Sequence, residues 1–289
     1  MSHLFVRLLK DEQEPQNTTK IAAVPKKDVR ILCFVLAYSR SNMATHVKRT
    51  WGKRCDILLF MSSVSNKELP TVKLPVGEGR HNLFKKVRES FKYVYEHHIN
   101  DADWFVKADD DTYMIVENLR YLLHPYSPEK PLYFGMRIRS MHGSKNYTYM
   151  SGGAGYVLSR EAVRRLVKKA FPYPSKCKKQ AYDEDVEMGI CLQNVNVVSG
   201  DSRDEKGLER FNGHNPRGLH SDKMFSHWIM YRIYYKKKKS DLCCSSNAIS
   251  FHYITSGQMY LFDYLIYRFQ LYRDTNSPIK LQINLYHHL

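Results

Sequence analysis

The chain has 289 residues, 43% of them hydrophobic, and a formal net charge of +16 at pH 7. That is enough apolar material for one large α/β domain or two small ones. The surplus of Lys and Arg favours an anionic partner (a nucleotide phosphate, a nucleic acid or a membrane surface), or serves only as a solubilising face.

Residues 1–27 are polar, with Pro15, Pro25 and the run Asp11-Glu12-Gln13-Glu14, and read as a stem or linker. Met1 to Lys10 lacks the sustained apolar core of a signal peptide. Val29 to Ala37 is expected to form a buried strand, Ala44 to Trp51 a short basic helix, and Cys55 to Met61 a second buried strand. Leu83, Phe84, Val87, Phe91 and Val94 recur at helical spacing, which predicts an amphipathic helix over Leu83 to His97. Trp104 to Val106 is a short strand leading into acidic residues. Leu119 to Leu123 is helical, Pro131 to Phe134 extended, and Glu161 to Ala170 helical. Strands alternating with helices predict an α/β fold with a mostly parallel, nucleotide-binding sheet. The longest apolar run, Ile31 to Ala37, is far short of the roughly 20 residues a membrane-spanning helix needs.

The segment Lys107-Ala108-Asp109-Asp110-Asp111-Thr112-Tyr113 carries the chemistry. A strand ending in carboxylates presents hard oxygen ligands at the carboxyl edge of a sheet, where open α/β folds bind ligands. Mn²⁺ or Mg²⁺ takes such oxygens together with phosphate and water. In an extended segment Asp109 and Asp111 project to one side and share an ion, while Asp110 points away, toward a donor sugar or a basic partner. An acidic triplet can also be a solvated turn, but the apolar Trp-Phe-Val strand before this one argues against that.

Met150 to Ser159 (MSGGAGYVLS) is rich in small residues, which allow close backbone approach and positive φ. It is neither a Walker loop nor a GxGxxG fingerprint. It shapes a ligand pocket or is a tight turn before a helix starting near Ser159. In Tyr182-Asp183-Glu184-Asp185-Val186-Glu187, the acids are first-turn residues stabilised by a helix dipole, or one of them is a general base.

KADDDTY, then IVENLRYLL, YMSGGAGYVLS, EDVEMG, GDSRD (Gly200 to Asp204) and SFHY (Ser250 to Tyr253) together resemble the core 1 β1,3-galactosyltransferases, which are β1,3-glycosyltransferases of the GT-A fold. The resemblance runs from Val29 to Arg268, in the same order and at comparable spacing. It implies a catalytic domain over 28–268 and a tail over 269–289. It also implies inverting transfer of galactose from UDP-galactose to the 3-hydroxyl of N-acetylgalactosamine on Ser or Thr. Asp109 and Asp111 would hold Mn²⁺ (or Mg²⁺), with His252 as a third ligand on the strand face opposite Phe251 and Tyr253. Asp185 would be the base, with Glu184 as the alternative, and Gly152, Gly153 and Gly155 would shape the sugar pocket. Lys86 and Arg40 are candidates for nucleotide-phosphate contacts, or plain surface charges. The family implies a glycoprotein acceptor, the Golgi or secretory lumen with an amino-terminal anchor that this chain does not show, and room for a homodimer.

The chain departs from the family in three places. The loop Ala37 to Asn42 is short and lacks a threonine. The stretch Ser226 to Tyr231 is less aromatic, and it leads into Lys236-Lys237-Lys238-Lys239. Beside that run, Tyr234 and Tyr235 keep open a nucleic-acid-binding reading, in which rings stack on bases and lysines grip phosphates. A non-catalytic partner of an active enzyme is another alternative, although its acids would be expected to be lost. Six cysteines with no CxxC pair speak against a disulfide-dense scaffold and a zinc ribbon. Cys33 and Cys55 can bridge if the first two strands are neighbours, and Cys177 and Cys191 flank the Asp183–Asp185 loop. Cys243 and Cys244 would pair with each other, stay reduced or exchange with the rest. The sequons at Asn17 and Asn146 are compatible with glycosylation in a secretory lumen.

Overall fold

In the computed structural model the described residues are 29–140, 147–219, 232–235 and 244–270. The stem over 1–27, both sequon asparagines, Ser226 to Tyr231, Lys236 to Lys239, Cys243 and the tail beyond Gln270 lie outside them.

The first strand, β1 (Ile31–Leu36), is buried along its whole length. Its unbroken apolar run suits a parallel strand covered on both faces. Ile31, Cys33 and Val35 enter one core layer, and Leu32, Phe34 and Leu36 the other, as the two-residue period of a strand requires. After the helix α1 (Met43–Arg49), β2 (Ile57–Ser62) pairs parallel to β1 and β3 (Thr71–Lys73) parallel to β2. The helix α2 (Leu83–His98) lays Phe84, Val87, Phe91 and Val94 on the second layer. From there the chain enters β4 (Trp104–Asp109), parallel to β1 on its other side.

Beyond β4 come the short β5 (Tyr113–Met114), the helix α3 (Val116–Leu123), β6 (Leu132–Gly135), and a two-stranded ribbon of β7 (Arg137–Arg139) and β8 (Thr148–Met150). Next is β9 (Tyr156–Ser159), which inserts antiparallel between β4 and β6. The stretch read as a turn before a helix therefore contains a central strand. The helix α4 (Arg160–Arg165) follows directly, with the Ser159 side chain accepting from the Ala162 N–H as its cap. A π turn over Leu166–Ala170 continues it. The helix α5 (Glu184–Gln193) leads to β10 (Val198–Ser199) on the sheet edge. The seven strands are ordered β10-β6-β9-β4-β1-β2-β3. They are parallel apart from β9, as expected of a mostly parallel sheet. Side chains of α3 and of the last described helix, Ser256–Tyr267, pack on one layer, and those of α2, α4 and α5 on the other.

A second sheet of three strands, β11 (Phe211–Asn212), β12 (Ser250–Phe251) and β5, sits just past the end of β4. Two disulfides have formed, Cys33–Cys55 and Cys177–Cys191. Cys244 is also disulfide-bonded. No helix among the described residues is long and apolar enough to cross a membrane.

Candidate active site

On β4, Lys107 and Asp109 are two residues apart and so share a face. The Lys107 ammonium is fully buried. It donates to Asp109 Oδ1 at 2.8 Å and to the Gly152 carbonyl at 3.1 Å, and lies 3.5 Å from Glu184 Oε2. Burial alone would lower its pKa, but the carboxylates of Asp109, Glu184 and Asp185 raise it above the ordinary lysine value.

The chain leaves β4 in a turn, with the Thr112 N–H donating to the Asp109 carbonyl at 3.1 Å. This corrects the expectation of an extended triplet, although Asp110 does stay out of the group formed by Asp109, Asp111 and His252. Asp109, Asp110 and Asp111 all line one cavity of about 550 Å³, whose other wall includes Tyr38 and Lys86. Burial, with Asp109 and Asp111 on either side, pushes the Asp110 carboxyl up to about 6. Its buried Oδ2 has no hydrogen-bond partner.

The small sheet brings His252 to the acids. Phe251 pairs with Tyr113, the Ile254 N–H donates to the Asp111 carbonyl at 2.9 Å, and the His252 N–H donates to the Asn212 carbonyl at 3.1 Å. His252 Nε2 lies 3.3 Å from Asp111 Oδ1. Asp109, Asp111 and His252 each offer a ligand atom, all within 4.8 Å of one another. Two carboxylates and an imidazole suit Mn²⁺, and the orphaned Asp110 oxygen leaves a further acceptor at this edge. The expected alternation of His252 and Tyr253 is not kept. β12 ends at Phe251, Tyr253 takes a φ of 56°, and the two rings stack at 3.8 Å between centroids.

A second cavity, of about 380 Å³, adjoins the first and is lined by Lys107, Gly152, Gly153, Glu184, Asp185 and His214 among others. Asp185 Oδ2 accepts from the Gly152 N–H at 3.0 Å and Oδ1 from the Val186 N–H at 2.9 Å. Burial raises the pKa of Asp185 while these two donors oppose the rise. Glu184 is more deeply buried. Its Oε1 accepts from the Tyr156 hydroxyl at 2.6 Å and its Oε2 faces Lys107, and burial pushes it up to about 7.

The glycines approach these acids closely, but they do not all line the cavity. Gly152 and Gly153 do, whereas Gly155, at φ 74°, packs against the Lys107 carbonyl. Lys86 is not a surface charge. It is buried and donates to the Ala37 carbonyl at 2.7 Å, with Glu78 at 3.5 Å. Arg40 is exposed on a turn and lines neither cavity. The rings of Tyr234 and Tyr235 are covered by Arg137 (3.8 Å) and Arg203 (3.6 Å), which takes away the base-stacking role considered for them.

The sequence reading assigned no role to Lys107, Arg80 or His214. Lys107 did carry a signal, a lysine inside an otherwise apolar strand. Arg80 opens a single 3₁₀ turn over Arg80–Asn82 and His214 stands in a bend, and neither carries a periodic cue.

The Fringe-like family matches residues 38–258. A Xenopus laevis protein named glycoprotein-N-acetylgalactosamine 3-beta-galactosyltransferase 1 is 40% identical over 247 residues, covering 83% of this chain and 67% of that protein. A Mus musculus beta-1,3-glucosyltransferase is 30% identical over 151 residues, 52% of this chain and 30% of its own length. Homo sapiens chondroitin sulfate synthase 3 is 31% identical over 134 residues, 43% of this chain and 15% of its own.

Proposed function

The chain belongs to the Fringe-like family of glycosyltransferases, and on that premise we propose that it transfers galactose from UDP-galactose, with inversion, to the 3-hydroxyl of an N-acetylgalactosamine on Ser or Thr of a glycoprotein. The observation that carries this reading is the convergence of Asp109, Asp111 and His252 where the first cavity meets the second through Asp109 and His252, with Asp185 on the wall of the second. The similarity to the Xenopus laevis enzyme supports the choice of sugars.

In this reading the larger cavity takes the nucleotide and the smaller takes the galactose and the acceptor. Asp109, Asp111 and His252 would hold a divalent cation, Mn²⁺ or Mg²⁺, which when bound neutralises charge gathering on the departing diphosphate. Asp109 offers its Oδ2 for this, because Lys107 holds Oδ1. Asp185 takes the proton of the acceptor hydroxyl as that oxygen bonds to the anomeric carbon. The bond from that carbon to the β-phosphate oxygen breaks, and its electron pair leaves with UDP. Attack from the side opposite the leaving group inverts the anomeric centre. Asp185 suits the role better than Glu184. Its oxygens are held only by backbone N–H groups, which keep it oriented and ionisable, whereas Tyr156 and Lys107 occupy both oxygens of Glu184.

Two disulfides favour an oxidising compartment, the secretory lumen or Golgi. The decisive assay is UDP release from a panel of UDP-sugars, with and without Mn²⁺ and a GalNAc-peptide. UDP-galactose should be consumed only with both present, giving a β1,3 linkage by NMR. Release from another sugar, or no acceptor dependence, would overturn the assignment.

A further inference from the structure

Two cations in the cleft are already committed. Lys86, in the larger cavity, is buried against the Ala37 carbonyl and Glu78, and Lys107, in the smaller, is buried against Asp109, Gly152 and Glu184. Arg80 differs from both. It lines both cavities, at the junction they share with Asp109, Leu83, His252 and Tyr253. Its side chain is 67% exposed, and its ion pair with the partly exposed Asp183 is loose, at 3.6 Å.

The backbone that bears Arg80 is nevertheless fixed. Asn82 Nδ2 donates to the Glu78 carbonyl at 3.0 Å, and the Asn82 N–H donates to the Gly79 carbonyl at 3.0 Å. Glu78 in turn accepts from the Ser63 hydroxyl at 2.5 Å and faces Lys86. An anchored backbone, with a guanidinium held only by the loose Asp183 pair and the Tyr182 ring 5.5 Å from it, costs little ordering when an anion arrives, and the planar fork of arginine matches phosphate oxygens.

We infer that Arg80 is a binding residue for the diphosphate of the nucleotide sugar, gripping it at the junction of the two cavities beside Asp109 and His252 and giving up its weak pair with Asp183 to do so. The inference rests on the donor reading above. Arg80 ranks ahead of Lys86 and Arg40 as the phosphate contact, since the first is buried against the Ala37 carbonyl and Glu78 and the second lines neither cavity.

The test is calorimetric titration of UDP and of uridine, each with Mn²⁺, into the wild-type chain and the Arg80→Ala, Arg80→Lys and Asp183→Asn variants. Arg80→Ala should weaken UDP roughly 10- to 100-fold, the scale of a lost charge-assisted hydrogen-bond pair, and leave uridine unchanged. Arg80→Lys should recover part of the loss, and Asp183→Asn should bind UDP at least as well as wild type. Wild-type UDP affinity in Arg80→Ala, or equal weakening of uridine, overturns the role of Arg80 while the donor reading stands. A wild-type chain that does not bind UDP overturns both.

Discussion

The ring of His252 lies directly over the backbone of Gly153, so close that a methyl group at Gly153 would come within 2.1 Å of it. Glycine is required there for space. His252 also meets Asp111 at 3.3 Å and stacks on Tyr253, so the ring is held on three sides. Gly153→Ala should push the imidazole out of reach of the two carboxylates. We expect Mn²⁺ affinity, read by electron paramagnetic resonance, to fall by about 10-fold or more with little change in melting temperature. Affinity equal to wild type would remove His252 from the ligand set.

The two carboxylate ligands should behave differently when neutralised. Asp111 is partly exposed and lies 3.3 Å from His252, with no Lys or Arg paired to it among the described residues, so Asp111→Asn should abolish Mn²⁺-dependent UDP binding and leave stability unchanged. Asp109 is the 2.8 Å partner of a fully buried ammonium. Asp109→Asn should lose the same binding and also destabilise the fold by about 1–3 kcal/mol, because Lys107 keeps its charge with one partner fewer. Denaturant titration of both variants checks the contrast, and equal stabilities would contradict it.

Much of this arrangement was legible in the sequence. The unbroken apolar run of β1, the Trp-Phe-Val start of the strand leading into Asp109 and the helical spacing of α2 each declare themselves in the local pattern, and the structure matches them. The strand β9 was hidden because three apolar residues and a serine after a glycine-rich run carry no period, and its antiparallel insertion breaks the expected alternation. The meeting of His252 with Asp111 depends on β12 pairing with β5, a long-range contact that local pattern cannot show. Motif resemblance supplied His252, but the supposed alternation with Tyr253 failed where the backbone turns to positive φ. Lys107 was within reach, since a charge at a buried strand position must find opposite charges, and Asp109 is its same-face neighbour.

Asp185 and Glu184 separate by kinetics. Asp185→Asn should lower turnover about 10²- to 10⁴-fold, the scale of general-base catalysis, while UDP binds normally. Glu184→Gln should keep turnover closer to wild type, because the amide carbonyl still accepts from Tyr156. The reverse pattern would make Glu184 the base.

Glu184 also gives stability a pH dependence of unusual sign. Burial holds its folded pKa at about 7, above the model-compound value of 4.5. Between those values the folded chain binds a proton that the unfolded chain has lost, so this residue's contribution is complete at low pH and disappears as pH rises through 7. Glu184→Gln should therefore flatten the fall in unfolding free energy between pH 4.5 and 7, as measured by denaturant titration at a series of pH values. An unchanged slope would mean that Glu184 is ionised throughout, with Lys107 outweighing burial.

The Cys177–Cys191 disulfide joins the segment before α5 to the body of that helix, whose first turn carries Glu184 and Asp185. Arg88 reinforces the same corner, donating to the carbonyls of Lys178 at 2.8 Å and Phe171 at 3.2 Å. A bridge with a sequence separation of 14 stabilises by about 3 kcal/mol through the lost freedom of the unfolded chain. Its local effect should be larger on catalysis than on donor binding, because Asp185 depends on α5 whereas Asp109, Asp111 and His252 do not. The Cys177→Ser/Cys191→Ser variant should melt at a lower temperature. Well below that temperature it should still bind UDP with Mn²⁺ but turn over more slowly, and reduction of the wild type should reproduce both effects. If peptide mapping of fully active protein found free thiols at Cys177 and Cys191, neither the tether nor the argument for an oxidising compartment from this pair would survive.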